Sequence, residues 1–377
     1  MDLTIISTYR CNSHCSTCNI WQHPTRLENE ISLDVLEKIP AGIDNLNISG
    51  GEPSLRADLA EMVAILHPKA RKMEISSNGL LPQRLEPIVQ KYPDIKIRFS
   101  LDGVAEVSNA IRGEKNGFQT KVQGLKRLKE LGGCDLGFAV TIQDDNVQDL
   151  DYLYHLTREM GVELSTSSLH NGFQFHKNDN FPYDRTRVAH GIENLIVQML
   201  KTASVKNWFR AYLNLGLMGK ILGNQRMIAC TAATDFVFVD PWSDVYACNV
   251  RADLRIGNLK THSWDEIYHG EQALAIRKAV SACSQNCWMV GTARTAMRNP
   301  VITSLPKFGP LWWVVLNKIR ATLGLRIPFE QYVNFNDSGH QPVGVKRVSY
   351  LEIPSTRHPL RQEQGQHYDS FGVFDNH

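Results

Sequence analysis

Six short apolar, β-branched runs alternate with five amphipathic stretches between residues 3 and 170, and this order predicts an α/β fold with a parallel sheet. Six consecutive parallel strands joined by right-handed crossovers curl naturally into a barrel. Glycine-, serine- and cysteine-bearing motifs directly follow the first four runs, the end at which barrel proteins place their chemistry. The predicted architecture is therefore a partial, TIM-like (β/α)6 barrel. A hairpin-plus-helix unit carrying four cysteines follows it, between residues 230 and 287.

The strands are expected at 3–7, 45–49, 72–76, 95–100, 136–142 and 162–167, and the helices between them at 32–39, 59–66, 84–91, 117–131 and 147–160. Ser32, followed by apolar Val35, Leu36 and Ile39, reads as an N-cap before a buried face. The stretch 171–184 changes character. It is polar and aromatic, with His170 before it and Phe173, Phe175, His176 and Phe181 within it, and reads as a loop or lid. It offers either substrate contacts or plain packing over the barrel mouth. Helical patterns follow at 190–203 and 208–222. Residues 236–239 and 245–248 then form a hairpin pattern around the turn Pro-Trp-Ser-Asp at 241–244, and 271–280 reads as a helix.

These boundaries divide the chain into a barrel with its helical extension (core 1–170, extension 171–228), a cysteine-bearing unit (229–299) and a C-terminal extension (300–377). In the last part, 308–323 is amphipathic, with Trp312, Trp313, Leu316, Ile319 and Leu323 apolar and Lys318 and Arg320 charged. It fits a helix packed on the barrel or one lying on a membrane surface. From about residue 355 the chain is charged, poor in apolar residues and expected to be flexible.

Composition narrows the class of protein. Of 377 residues, 42% are hydrophobic, which suits a globular chain with an ample core. A net charge of +2 supplies no field that would draw nucleic acid. No signal peptide or bilayer-length apolar run is visible, and the eight cysteines do not read as a disulfide framework, so a cytoplasmic setting is expected. Seven of the eight fall into two groups; Cys134 stands apart and is expected to be a buried or idle thiol.

Cys11, Cys15 and Cys18 lie on one short loop after the first strand. Thiolates select zinc, copper(I) or iron–sulfur clusters, and three of them leave one iron of a cubane cluster open. A zinc knuckle completed by His14 or His23 is the alternative, although zinc pairs more often come as C-x2-C or C-x4-C with a second pair nearby. Cys230, Cys248, Cys283 and Cys287 would saturate one [4Fe–4S] cluster, or else a four-cysteine zinc ribbon.

C-x3-C-x2-C after an N-terminal strand resembles the signature of radical S-adenosylmethionine (SAM) enzymes. Ser-Gly-Gly-Glu-Pro at 49–53, Ser-Ser-Asn-Gly at 76–79, Ser-Leu-Asp-Gly at 100–103 and Ala-Ile-Arg-Gly at 110–113 resemble further segments of that family in the same order. Thr17, before the third cysteine, departs from the aromatic residue often found there, and Trp21 is the nearby substitute. The second cysteine group resembles the auxiliary-cluster module called SPASM, or its shortened form, the twitch domain. In that family a glycine stands five positions before the second cysteine, and Ser243 occupies its place here.

The resemblance implies two [4Fe–4S] clusters, the first with an open iron for SAM. It also implies a 5′-deoxyadenosyl radical that abstracts hydrogen from substrate, and an external one-electron reductant of flavodoxin or ferredoxin type. It places Gly50, Gly51 and Glu52 at the methionine amine, Ser76, Asn78 and Ser100 at the ribose or carboxylate side, and Arg112 at the SAM carboxylate. For Arg112, Ser100 and Asp102 a structural role is the alternative, such as a surface ion pair for Arg112 or a turn cap for Asp102. An auxiliary cluster with no open iron suits electron transfer, as in alcohol oxidation or peptide maturation. Because the chain enters the barrel at once, with no leader-binding module in front, a sugar or aminocyclitol alcohol is the favoured substrate and a peptide or protein the alternative. A non-catalytic zinc-binding scaffold is the reading from another class.

Overall fold

The computed structural model describes residues 1–303 and 309–336. The flexible tail expected from about residue 355 lies outside the described residues. Six strands, β1 (Asp2–Ile6), β2 (Asn45–Ser49), β3 (Met73–Ser77), β4 (Lys96–Ser100), β5 (Asp135–Ile142) and β6 (Glu163–Ser168), pair in chain order and in parallel. Each matches an expected strand to within about a residue or two. The sheet does not close between β6 and β1, so the barrel is partial.

Burial explains the alternation. Leu46 and Ile48 on β2, Ile75 on β3, Ile97 and Phe99 on β4, and Phe138 and Val140 on β5 are all almost fully buried in one continuous core. Helices Leu59–Leu66, Glu86–Lys91, Gly117–Glu130 and Leu150–Met160 stand close to their expected places. Ser32 precedes the helix Leu33–Glu37 in extended backbone, but its side chain forms no capping bond to that helix. One helix was not foreseen. Ala105–Arg112 has only two apolar side chains, Val107 and Ile111, on its buried face, too few to show a period. Gly113 ends it in the left-handed conformation at φ 65°, the usual glycine C-terminus of a helix.

The cysteine-bearing unit is joined to the barrel by main-chain hydrogen bonds. β7 (Phe236–Val239) pairs in parallel with β1, and β8 (Asp244–Tyr246) and β9 (Arg255–Asn258) continue antiparallel, giving nine strands in the order β6-β5-β4-β3-β2-β1-β7-β8-β9. The open edge of β1 is thereby covered. Two long helices, Arg185–Lys201 and Val205–Ile221, pack on each other beside the barrel, and the helix Pro310–Thr322 packs across both through buried Trp313, Val314, Asn317 and Ala321. Cys134 is exposed, with its thiol 2.7 Å from the Pro93 carbonyl oxygen, so of the two expected readings, a buried or an idle thiol, the buried one does not hold. It follows the turn that ends the helix Gly117–Glu130, where Gly132 and the strand start leave it at the surface.

The turn between β7 and β8 contains a strained residue. Ser243 is fully buried with φ 75°, a conformation that costs a residue with a Cβ about 1 kcal/mol. Its hydroxyl has no hydrogen-bond partner. Ser243→Gly should therefore raise the unfolding free energy by about 1 kcal/mol, read from the urea midpoint. A neutral or destabilising result would show that the serine is compensated elsewhere.

Candidate active site and auxiliary thiol centre

The loop bearing Cys11, Cys15 and Cys18 leaves β1 at the open mouth of the barrel, and its backbone is held from two sides. His14 and Ser16 donate their N–H groups to the carbonyls of Arg112 and Ile111, the last turn of Ala105–Arg112, at 3.0 and 2.9 Å. On the other side, Asn19 donates from its backbone to Phe175 and from its side chain to His176, each at 2.9 Å. Asn180 reaches the Thr17 carbonyl at 2.8 Å. The segment read as a loop or lid is thus packed over the barrel mouth and clamps the cysteine loop. Trp21 is tied to the same loop through a 3.0 Å bond from its indole N–H to the Cys18 carbonyl.

Beneath the loop runs a chain of buried charges. Lys121, fully buried, pairs with Glu114, whose other oxygen accepts a 2.7 Å bond from Ser13 Oγ. Arg112 pairs with Asp102 at 2.6 Å and lies 3.6 Å from Glu114. Asp102 also accepts the Thr141 backbone N–H at 2.8 Å. Two cations and two carboxylates alternate, which is the condition for burying charge at tolerable cost. Burial, and the Arg112 charge after it, push the Lys121 ammonium down to about 8, against the pull of Glu114. Burial also opposes the charge of Arg112, but Cys15, Asp102 and Glu114 outweigh it and hold the guanidinium protonated.

The expected site residues converge. Cys11, Cys15, Cys18, Gly50, Gly51, Ser76, Asn78, Ser100 and Arg112 all line one cavity of about 190 Å³ at the C-terminal ends of β1 to β4. Asn78 donates to Asn12 Oδ1 and Ser13 Oγ at 2.7 and 2.9 Å, and so braces the cysteine loop as well as facing the cavity. Glu52 sits differently from expectation. Its fully buried carboxylate accepts the backbone N–H groups of Ser54 and Asn78 and the Ser77 hydroxyl, locking the turn after β2 to the turn after β3. Gly51 allows that turn to lie on the cysteine loop, because a Cβ there would come within 2.4 Å of the Arg10 carbonyl.

Three residues absent from the site expected on the sequence, Thr141, His170 and Asn180, line the same cavity. Burial pushes His170 down to about 3, with Lys220 adding to the effect, so the ring is neutral. Its Nδ1 lies 3.1 Å from the Ser168 carbonyl and carries the proton, which leaves Nε2 as a buried acceptor with no protein partner. Asn180 Oδ1 is likewise buried and unpaired. Both acceptors call for a ligand that brings N–H or O–H groups. The polar stretch around His170 was the only trace of this in the sequence.

The donor set fits a metal cluster with an open position. Burial and the Cys15 thiol push the Cys18 thiol up to about 12, and burial raises Cys11 and Cys15 in the same direction, with Arg112 opposing at Cys15. Three half-buried thiolates side by side need a positively charged partner, which metal supplies. The second group behaves alike. Cys230 before β7, Cys248 after β8, and Cys283 and Cys287 after the helix Glu271–Ser281 line one small cavity. Burial pushes Cys287 up to about 11, while Arg226 counteracts it. Trp288, next in sequence, is anchored by a 2.8 Å bond to the Leu213 carbonyl, and its ring fills the place of a Cβ at Gly216. Among the described residues, no three His, Cys, Asp or Glu side chains converge on a point suited to a single metal ion.

An aromatic cluster packs against the first thiol group. Tyr9, Phe173, Phe238 and Tyr246 are buried together, with Cys11 and Cys18 packed on one side and Trp242 against Tyr9 at 5.1 Å between ring centres.

Comparison with known proteins agrees with this architecture. Residues 5–157 match the radical SAM superfamily model, and residues 230–288 match the SPASM iron–sulfur cluster-binding domain. The chain is 27% identical to the mycofactocin maturase MftC of Mycolicibacterium smegmatis over 332 residues, covering 82% of this chain and 81% of that protein. It is 33% identical to the Fe-coproporphyrin III synthase of Methanosarcina barkeri over 163 residues, which is 40% of this chain and only 39% of that protein. Streptococcus suis SuiB bound to S-adenosylmethionine has the same fold, with a TM-score of 0.56 at 17% identity over 73% of this chain and 67% of that one. So does anSMEcpe with bound AdoMet and Cp18Cys peptide, with a TM-score of 0.55 at 16% identity over 86% and 96%. The two domains imply SAM and [4Fe–4S] clusters as cofactors. The chain is a radical SAM superfamily enzyme with a SPASM domain.

Proposed function

We propose that this enzyme modifies a peptide or protein substrate. The observation that carries the proposal is the likeness to a maturase along most of the chain, barrel and SPASM domain together. It supports a peptide over the sugar or aminocyclitol alcohol favoured by sequence alone. In this reading the catalytic barrel comprises residues 1–228, the SPASM unit 229–299 and the C-terminal extension 300–377.

Cys11, Cys15 and Cys18 would hold the cluster with the open iron, and Cys230, Cys248, Cys283 and Cys287 the auxiliary one. Once loaded and reduced by an external donor of flavodoxin or ferredoxin type, the first cluster supplies reductive cleavage of SAM and a 5′-deoxyadenosyl radical for hydrogen abstraction. The chain's own contribution is position and exclusion. Gly50 and Gly51 line the cavity with backbone and lie so close to the Thr8 and Arg10 main chain that no side chain would fit, and Ser76, Asn78 and Ser100 add polar groups beside them. Glu52 acts at one remove, as the brace that sets Gly51 and Asn78. Arg112, kept protonated by Asp102 and Glu114, presents fixed positive charge to an anionic group such as the SAM carboxylate. His170 Nε2 and Asn180 Oδ1 offer two fixed acceptors to ligand N–H or O–H groups. The aromatic cluster packs against Cys11 and Cys18 and keeps solvent off that side of the cysteine loop.

The substrate class is tested on extract of the source cells, separated by ultrafiltration into a peptide and a small-molecule fraction. Reconstituted enzyme with SAM and dithionite should form 5′-deoxyadenosine faster with the peptide fraction, and protease digestion of that fraction should abolish the gain. Stimulation by the small-molecule fraction alone would overturn the proposal. The buried charges give a second prediction. Lys121→Met leaves Glu114 short of a cation and should cost about 3 kcal/mol of unfolding free energy. Lys121→Met with Glu114→Gln should cost less than the single change. A loss below about 1 kcal/mol in the single variant would contradict the network's structural role.

A further inference from the structure

The helix Pro310–Thr322 buries one face on its neighbours and leaves the other uncovered among the described residues. An α-helix turns ~100° per residue, which places Leu311, Val315, Ile319, Trp312, Leu323 and Leu316 within an arc of about 140°. These side chains are 42% to 67% exposed. Thr322 is the one polar residue in that arc. Lys318 and Arg320 stand at its two edges, and the helix contains no Asp or Glu. The described residues just past its end contain one carboxylate before the chain reaches Asn336, Glu330, and it is paired with Arg326 at 2.6 Å.

We propose that this face docks in the plane of an anionic lipid surface. Apolar side chains flanked by Lys318 on one edge and Arg320 on the other, in a helix with no carboxylate, suit the boundary between acyl chains and acidic headgroups. Thirteen residues reach about 20 Å, short of the ~30 Å hydrocarbon thickness, so the helix lies in the interface and does not cross it. Accordingly, no helix among the described residues is long and apolar enough to span a membrane. A second copy of the chain fits less well, since a two-fold contact would bring the cationic Lys318 and Arg320 edges of the two copies together. Lys318 already rests on Trp208, at 5.1 Å from the ring centre, and donates to the Thr202 carbonyl at 3.0 Å, which fixes one cationic edge.

The test is co-sedimentation of the full chain with vesicles of phosphatidylcholine alone or with one quarter phosphatidylglycerol. Wild type should bind the anionic vesicles at least tenfold more tightly and be released by 0.5 M salt. Leu316→Glu with Ile319→Glu should remain in the supernatant with an unchanged circular dichroism spectrum, since both positions are exposed. Arg320→Glu, which spares the apolar arc, should weaken binding and its salt dependence. Wild type remaining in the supernatant with both vesicles would overturn the proposal, as would equal binding to both. So would a dimer in light scattering that the double variant splits, or a deletion of 337–377 that is itself needed before any binding appears.

Discussion

The chain of buried charges Lys121–Glu114–Arg112–Asp102 is the constraint on which the rest of the site depends. Three thiols on a short loop cannot hold a shape by themselves; the loop has no regular structure and little apolar surface to bury. Its form comes from what it is tied to. Glu114 holds Ser13, the carbonyls before Gly113 hold His14 and Ser16, and Asp102 ties Arg112 back to β5 through Thr141. The charges that fix the loop thus also place a permanent cation beside Cys15. Removing one member would leave its partner charged in a dry environment, so the network stands or falls as a unit.

A second consequence concerns how the two domains are joined. The hairpin of the SPASM unit extends the barrel sheet through β1, the strand that delivers Cys11. Any shift of that hairpin is transmitted directly to the start of the cysteine loop. The aromatic cluster formed by Tyr9, Phe173, Phe238 and Tyr246 fills the space where the barrel, the clamp segment and the hairpin meet. Position of one thiol group relative to the other is therefore set by ladder hydrogen bonds and ring packing, and not by a flexible linker.

Much of this was legible in the sequence because the signals were periodic or spaced. Strands β1 to β6 announce themselves by apolar β-branched runs, and the cysteines by ligand-like intervals. Gly50, Asn78, Ser100 and Arg112 share a cavity because each ends or directly follows a strand, or ends a helix, at the barrel mouth. What was not legible is non-local. Nothing in a single sequence pairs Lys121 with Glu114, or tells that Glu52 would spend its carboxylate on Ser54, Ser77 and Asn78. The helix Ala105–Arg112 is too short and too polar to show a period. His170 and Asn180 sit in a stretch whose composition reads as loop, and their unpaired acceptors exist only once the barrel mouth is built around them. Ser243 is the instructive intermediate case: its departure from the family's glycine was visible in the sequence, and the positive φ gives the departure its physical meaning.

The most direct measurement is iron per chain after anaerobic reconstitution, together with 5′-deoxyadenosine formed from SAM and dithionite. It would be made for wild type and for the Cys11→Ala, Cys15→Ala, Cys18→Ala triple variant. The account predicts about eight irons falling to about four, with nucleoside formation abolished. Zinc in place of iron, or unchanged nucleoside formation in the triple variant, would contradict it.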